Sequence, residues 1–145
     1  MALLNYTSGV DADKTDSEIA KCLSMHGAQA VLTEYDPVKA TVTAISFKIS
    51  VDGQSIGFRL PCDWKPVYEV INKGKRRNNR GDGGRQAQAV RTAWRIVKDW
   101  VEAQMALVET KMATTTQVFL PYAVMKDQRT LAEHFGDNPQ LLLGN

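Results

Sequence analysis

The sequence predicts an α+β fold, and three features predict it. One is a β-hairpin whose turn sets its own register. Another is a set of helix-capping signals on either side of that hairpin. The third is a long run of helical apolar periodicity in the C-terminal half. The expected order is an N-terminal helix, a three-stranded antiparallel sheet, a short helix, a long amphipathic helix packed on the sheet, and short C-terminal helices. At 145 residues the chain fits one domain, since domains run about 100–150 residues.

Each element has a local reason. Thr15-Asp16-Ser17-Glu18 is a capping-box pattern, and Ile19 and Leu23 follow at helical spacing. Gly27 is a natural terminator, so the first helix is expected over 16–26. Residues 28–35 read as a strand closed by Asp36-Pro37, and 40–51 are rich in Thr, Val, Ile and Phe. Asp52-Gly53 is a two-residue hairpin signal, because a type I′ turn needs φ > 0 at both positions. That turn pairs Val51 with Gln54, Ile49 with Ile56, Phe47 with Phe58 and Ile45 with Leu60. The apolar pairs share one face and Ser46, Lys48 and Arg59 the other, and a one-residue slip would destroy the match. Pro61 ends the third strand, and Asp63 caps a helix over 64–73.

Residues 74–84 are a basic, glycine-rich loop, and a helix follows over 85–111. Its apolar arc, from Val90 and Trp94 to Leu107 and Val108, spans about half the circumference, more than one flat contact needs. Arg91, Arg95 and Lys98 lie on the opposite side at i, i+4 and i+7, with Glu102 placed to pair with Lys98. Thr114 and Thr130 open two further capping boxes, the second for a helix over 131–135 before Gly136. Residues 1–14 are expected to be a flexible arm, 15–136 the domain, and 137–145 a tail. The wide arc and Leu141-Leu142-Leu143 predict a homo-oligomer.

Charge is distributed unevenly. Residues 73–98 hold nine basic residues against one acid, Asp82, a net +8. The rest of the chain holds nine basic and fifteen acidic residues, a net −6. Such a field suits a polyanion. Lys and Arg neutralise phosphates and release counterions, and a helix N-terminus adds a partial positive charge. The phosphate-binding residues are therefore expected to be Lys75, Arg76, Arg77, Arg80, Arg85, Arg91, Arg95 and Lys98. Lys48 and Arg59 would extend the groove. The expected partner is nucleic acid, single-stranded DNA first, or a phosphate-bearing small ligand. Trp94 and Trp100 read as core; Trp64, Tyr68 and Tyr122 are left open as platforms for stacked bases.

Catalytic signatures are missing. Gly74 to Gly81 has a tempting length for a phosphate-binding loop, but Asp82 follows where Lys-Ser or Lys-Thr is required. No GxGxxG follows a strand, and no HExxH occurs. Cys22 and His26 sit at i, i+4, yet two ligands do not make a zinc site. Arg80-Gly81-Asp82 spells an adhesion tripeptide by chance. The expectation is a non-catalytic protein with no cofactor and no metal. No apolar run approaches the roughly 18 residues that span a bilayer, and no signal-peptide pattern opens the chain, so a cytoplasmic location is expected.

The segments Phe58-Arg59-Leu60-Pro61, Trp94 to Gln104 (WRIVKDWVEAQ) and Val118-Phe119-Leu120-Pro121-Tyr122 resemble a family of small phage and prophage proteins, over about 15–136. The resemblance implies a bacterial host cell and little chemistry. In architecture, a helix, three antiparallel strands and a long helix resemble the core of Rad52-type single-strand annealing proteins, which implies a recombination role. Two other readings stand beside nucleic-acid binding: an anti-defence protein that holds a host protein or a signalling nucleotide, and a structural oligomer-forming subunit.

Overall fold

The computed structural model describes residues 3–5, 9, 11–38, 42–73 and 82–142. The element order is α1 (Ala12–Met25), β1 (Ala28–Tyr35), β2 (Val42–Val51), β3 (Gln54–Pro61), α2 (Lys65–Lys73), α3 (Asp82–Glu109), α4 (Thr115–Phe119), a 3₁₀ turn (Leu120–Tyr122), α5 (Leu131–Asp137) and a second 3₁₀ turn (Pro139–Leu142). This is the α+β fold the sequence predicts. Among the described residues no helix is long and apolar enough to cross a membrane.

The strands form an antiparallel sheet in the order β1-β2-β3. The β2–β3 register is the one the turn dictates: Val51 opposite Gln54, Ile49 opposite Ile56, Phe47 opposite Phe58, Ile45 opposite Leu60. Asp52 and Gly53 carry the turn at φ 51° and 81°. Ile45, Phe47, Ile49, Phe58 and Leu60 are buried on the inner face. There they join Ile19 and Leu23 of α1, Trp94, Val101 and Met105 of α3, and Phe119 in one core. Burying a side chain of this size stabilises by about 1.5–3 kcal/mol. Ser46, Lys48 and Arg59 alternate onto the outer face.

Phe119 closes the core at its far end. Its ring meets Phe47 edge-on at 5.3 Å and Trp100 at 5.5 Å. The chain then runs along the outer edge of β3, where Val124 N–H donates to the Gly57 carbonyl at 2.8 Å and Ala123 bridges Phe58. The capping boxes at Thr114 and Thr130 both form, each with reciprocal side-chain and backbone bonds.

Four boundaries differ from the sequence reading. α1 begins at Ala12, and Thr15 is buried within its first turns, its hydroxyl donating to the Asp11 carbonyl. The hydroxyl therefore serves the helix from inside rather than as its cap. α3 begins at Asp82, so the last residues of the expected 74–84 loop are helical. α5 runs through Gly136 to Asp137. Part of the expected arm is bound: Leu3 packs on the core, the Asn5 carbonyl accepts from Thr92, and Asn5 Nδ2 donates to Asp99.

α3 packs against both α1 and α2. Of its wide apolar arc, Ala93, Trp94 and Val101 are buried, Val90, Val97 and Trp100 are partly buried against the core, and Ala103 is exposed. Much of the arc is therefore used within the chain, which weakens it as an argument for a partner subunit. Leu141 and Leu142 are exposed; Leu143 lies outside the described residues.

Candidate nucleic-acid interface

The eight expected phosphate-binding residues fall into three groups. Lys75, Arg76, Arg77 and Arg80 lie outside the described residues, in the segment bonded to α2 at Lys73 and to α3 at Asp82. Arg85 and Arg91 belong to the first three turns of α3. Arg95 and Lys98 belong to its middle.

Arg85 ties α3 to the end of α2, its Nη1 donating to the Asn72 side-chain carbonyl at 2.5 Å. Asn72 is neutral, so the bond fixes the guanidinium without cancelling its charge. Its Nε is buried without a hydrogen-bond partner. Arg91 donates to Gln88 Oε1 at 2.8 Å, again a neutral acceptor.

Arg95 and Lys98 stand differently, and the expectation of an open basic row is corrected here. The row faces α1. Arg95 Nη1 lies 2.8 Å from Glu18 Oε2, and Lys98 Nζ lies 3.6 Å from the same oxygen and 2.8 Å from Glu102. Their side chains are only 19% and 14% exposed. The Arg95 hydrogen bond holds the Glu18 carboxyl below its usual range against a smaller opposing effect of burial, with Lys98 adding to the pull. The Glu102 hydrogen bond pushes the Lys98 amine up. Two cations and two carboxylates thus form a neutral clamp between α1 and α3. The Lys98–Glu102 pair is legible from its i, i+4 spacing, whereas Glu18 reads in the sequence as part of a capping box and meets Arg95 only in the fold.

Lys48 and Arg59 share the outer face of the sheet, on a shallow groove of about 260 Å³. Arg59 Nη2 donates to the Gln128 carbonyl at 2.9 Å. Its guanidinium also lies 3.9 Å from Glu34 and 3.8 Å from Glu133. It thereby ties the sheet to the C-terminal segment. Lys48 is exposed. Glu34 lines the same groove, so the outer face is close to neutral.

The tryptophans are in the core. Trp94 is buried, Trp100 packs edge-on against Phe119 and Tyr122, and Trp64 packs edge-on against Tyr68. Trp64, Tyr68 and Tyr122 are thereby used in packing and do not form an open stacking platform. The two cysteines are free. Burial pushes the Cys62 thiol up to about 12 and raises that of Cys22, so both are held as thiols. His26 is spent on helix ends: Nδ1 meets the Cys22 carbonyl at 2.8 Å and Nε2 faces Glu109 at 3.7 Å. Among the described residues no three His, Cys, Asp or Glu side chains converge on a metal position.

No family model, curated protein or solved structure matches the chain. The functional reading therefore stands on the residues alone.

Proposed function

We propose that the chain binds nucleic acid through its phosphates, at the junction of α2 and α3, without catalysis. The observation that carries the reading is a concentration of positive charge with few carboxylates to answer it. From Lys73 to Arg91 there are seven basic residues and one acid, a net +6. The cations of α3 further along are neutralised by Glu18 and Glu102, whereas Arg85 is held by a neutral amide. The binding residues are thus Lys75, Arg76, Arg77, Arg80, Arg85 and Arg91. Arg95 and Lys98 are structural.

With Trp64 and Trp94 buried and Trp100 packed against Phe119 and Tyr122, the reading rests on backbone contacts and has no base-stacking component, so little sequence preference is expected. A phage-type protein would meet this partner in the cytoplasm of a bacterial host.

Fluorescence anisotropy with a labelled oligonucleotide, titrated across salt, tests it. Neutralising about five phosphates gives a log–log slope near −3.5 for a single strand and near −4.5 for a duplex. Replacing Arg76, Arg77 and Arg80 together by Gln should flatten that slope, while Arg95→Gln should leave it unchanged. Affinity that is flat in salt overturns the proposal. Competition between single-stranded and duplex DNA then decides the preferred form.

A further inference from the structure

The sheet has two edges, and they are treated differently. The β3 edge is closed by the C-terminal segment through Val124 and Ala123. The β1 edge is paired with nothing among the described residues. An open strand presents unpaired N–H and C=O groups, and proteins usually guard it with a charged side chain, Pro, a bulge or a covering element. β1, Ala28–Tyr35, contains no Lys, Arg or Pro, and its one charge is Glu34. Its register irregularities lie at its ends, between Ala28 and Ala30 and between Glu34 and Tyr35. Residues 30–34 between them are regular. Leu32 is 61% exposed there, and Tyr35 is 52% exposed at the end of the strand.

We propose that two copies of the chain pair antiparallel along β1, with Leu32 opposite Leu32, to form a continuous six-stranded sheet. The strand is self-complementary in that register. Residues opposite each other on an antiparallel pair point to the same face. A two-fold axis at Leu32 sets Val31 opposite Thr33 on the inner face and Ala30 opposite Glu34 on the outer face. No like charges meet, and the two exposed leucines cover each other.

Charge fixes the same register. Ala30 already neighbours Lys48 across β1–β2. In the pair, Glu34 of one copy, Ala30 of the second and Lys48 of the second fall in one row on the outer face. Glu34 and Lys48 are then two strand spacings apart, about 9.6 Å. The small Ala30 between them lets the two long side chains meet. The exposed Lys48 of each copy so gains a carboxylate, which it shares with the Arg59 that lies 3.9 Å from Glu34 within the other copy, twice over by symmetry. An unrelated peptide strand would have no reason to supply this match.

The test needs no nucleic acid. Sedimentation of the wild-type chain should give a dimer at micromolar concentration. Leu32→Lys, at an exposed position, should give a monomer with an unchanged circular-dichroism spectrum. Register is read by cross-linking. Leu32→Cys sits on the axis and should form an interchain disulfide on oxidation. Gln29→Cys, three residues away and about 20 Å from its mate, should not. A monomeric wild type, a dimer that survives Leu32→Lys, or equal cross-linking at both positions overturns the proposal. If Leu32→Lys fails to fold, the contrast between the two cysteine variants still decides it.

Discussion

Whether a cation acts in binding or in folding depends on what its side chain touches. Arg85 and Arg95 lie ten positions apart on one helix, and one meets an amide while the other meets a carboxylate. Arg95→Ala should therefore lower the melting temperature by about 2–4 °C without weakening oligonucleotide binding, and thermal unfolding beside anisotropy separates the two effects. The same clamp has a pH signature. Glu18 is held below its usual value of 4.5 in the folded chain. A carboxyl with a depressed folded pKa stabilises fully above its unfolded value, and loses that contribution as pH falls through the folded one. The Glu18 contribution is thus intact at neutral pH and fades as pH falls below 4.5. Asp127 and Glu133 are shifted the same way, so Glu18→Gln should reduce the acid destabilisation without abolishing it. Melting temperatures across pH 3–6 check this, and an unchanged acid slope in the variant would mean that the clamp adds nothing. The sequence could not reveal Glu18 in this role. Its partners lie about 80 residues away, and its spacing from Thr15 satisfied a capping box just as well.

Elements were legible where the information is local. The β2–β3 register was readable because Asp52-Gly53 admits one turn, and that turn sets Leu60, Phe58 and Ile56 opposite Ile45, Phe47 and Ile49 on one face. The turn is also testable. Gly53 has φ 81° and open space around the position a Cβ would take, so a side chain there meets backbone strain alone. Gly53→Ala should cost about 1–2 kcal/mol, measured by denaturant unfolding, while leaving the fold intact. The capping boxes at Thr114 and Thr130 were legible for the same reason, since two residues three positions apart determine each. The start of α1 was not. A buried threonine that donates back to Asp11 carries the same sequence signature as a capping one. The orientation of α3 was half legible: periodicity finds its apolar arc, but cannot say that α1, α2 and Asn5 cover the rest. A charged row at i, i+4 and i+7 reads as solvent-facing until a second helix with a carboxylate is placed over it.

At the scale of the molecule, the C-terminal third completes the fold rather than decorating it. Phe119 is fully buried and touches both Phe47 and Trp100. Val124 closes the β3 edge, and Arg59 is held by Gln128 and Glu133 from that same stretch. The three-stranded sheet and its helices thus lack one wall of the core and one edge of the sheet until residues 115–137 dock. Phe119→Ala should cost about 3–5 kcal/mol, the usual range for a buried phenylalanine. That is a large fraction of a typical domain's stability. A chain ending at residue 113 should fare worse. It would expose the Phe47–Phe58 stack and leave β3 as a second open edge, and exposed strand edges invite association. The expected result is loss of a cooperative melt, binding of a hydrophobic dye, and aggregation. A truncated chain that melts cooperatively at the wild-type temperature would mean that residues 1–113 fold as a complete unit and that Phe119 only covers a core already formed.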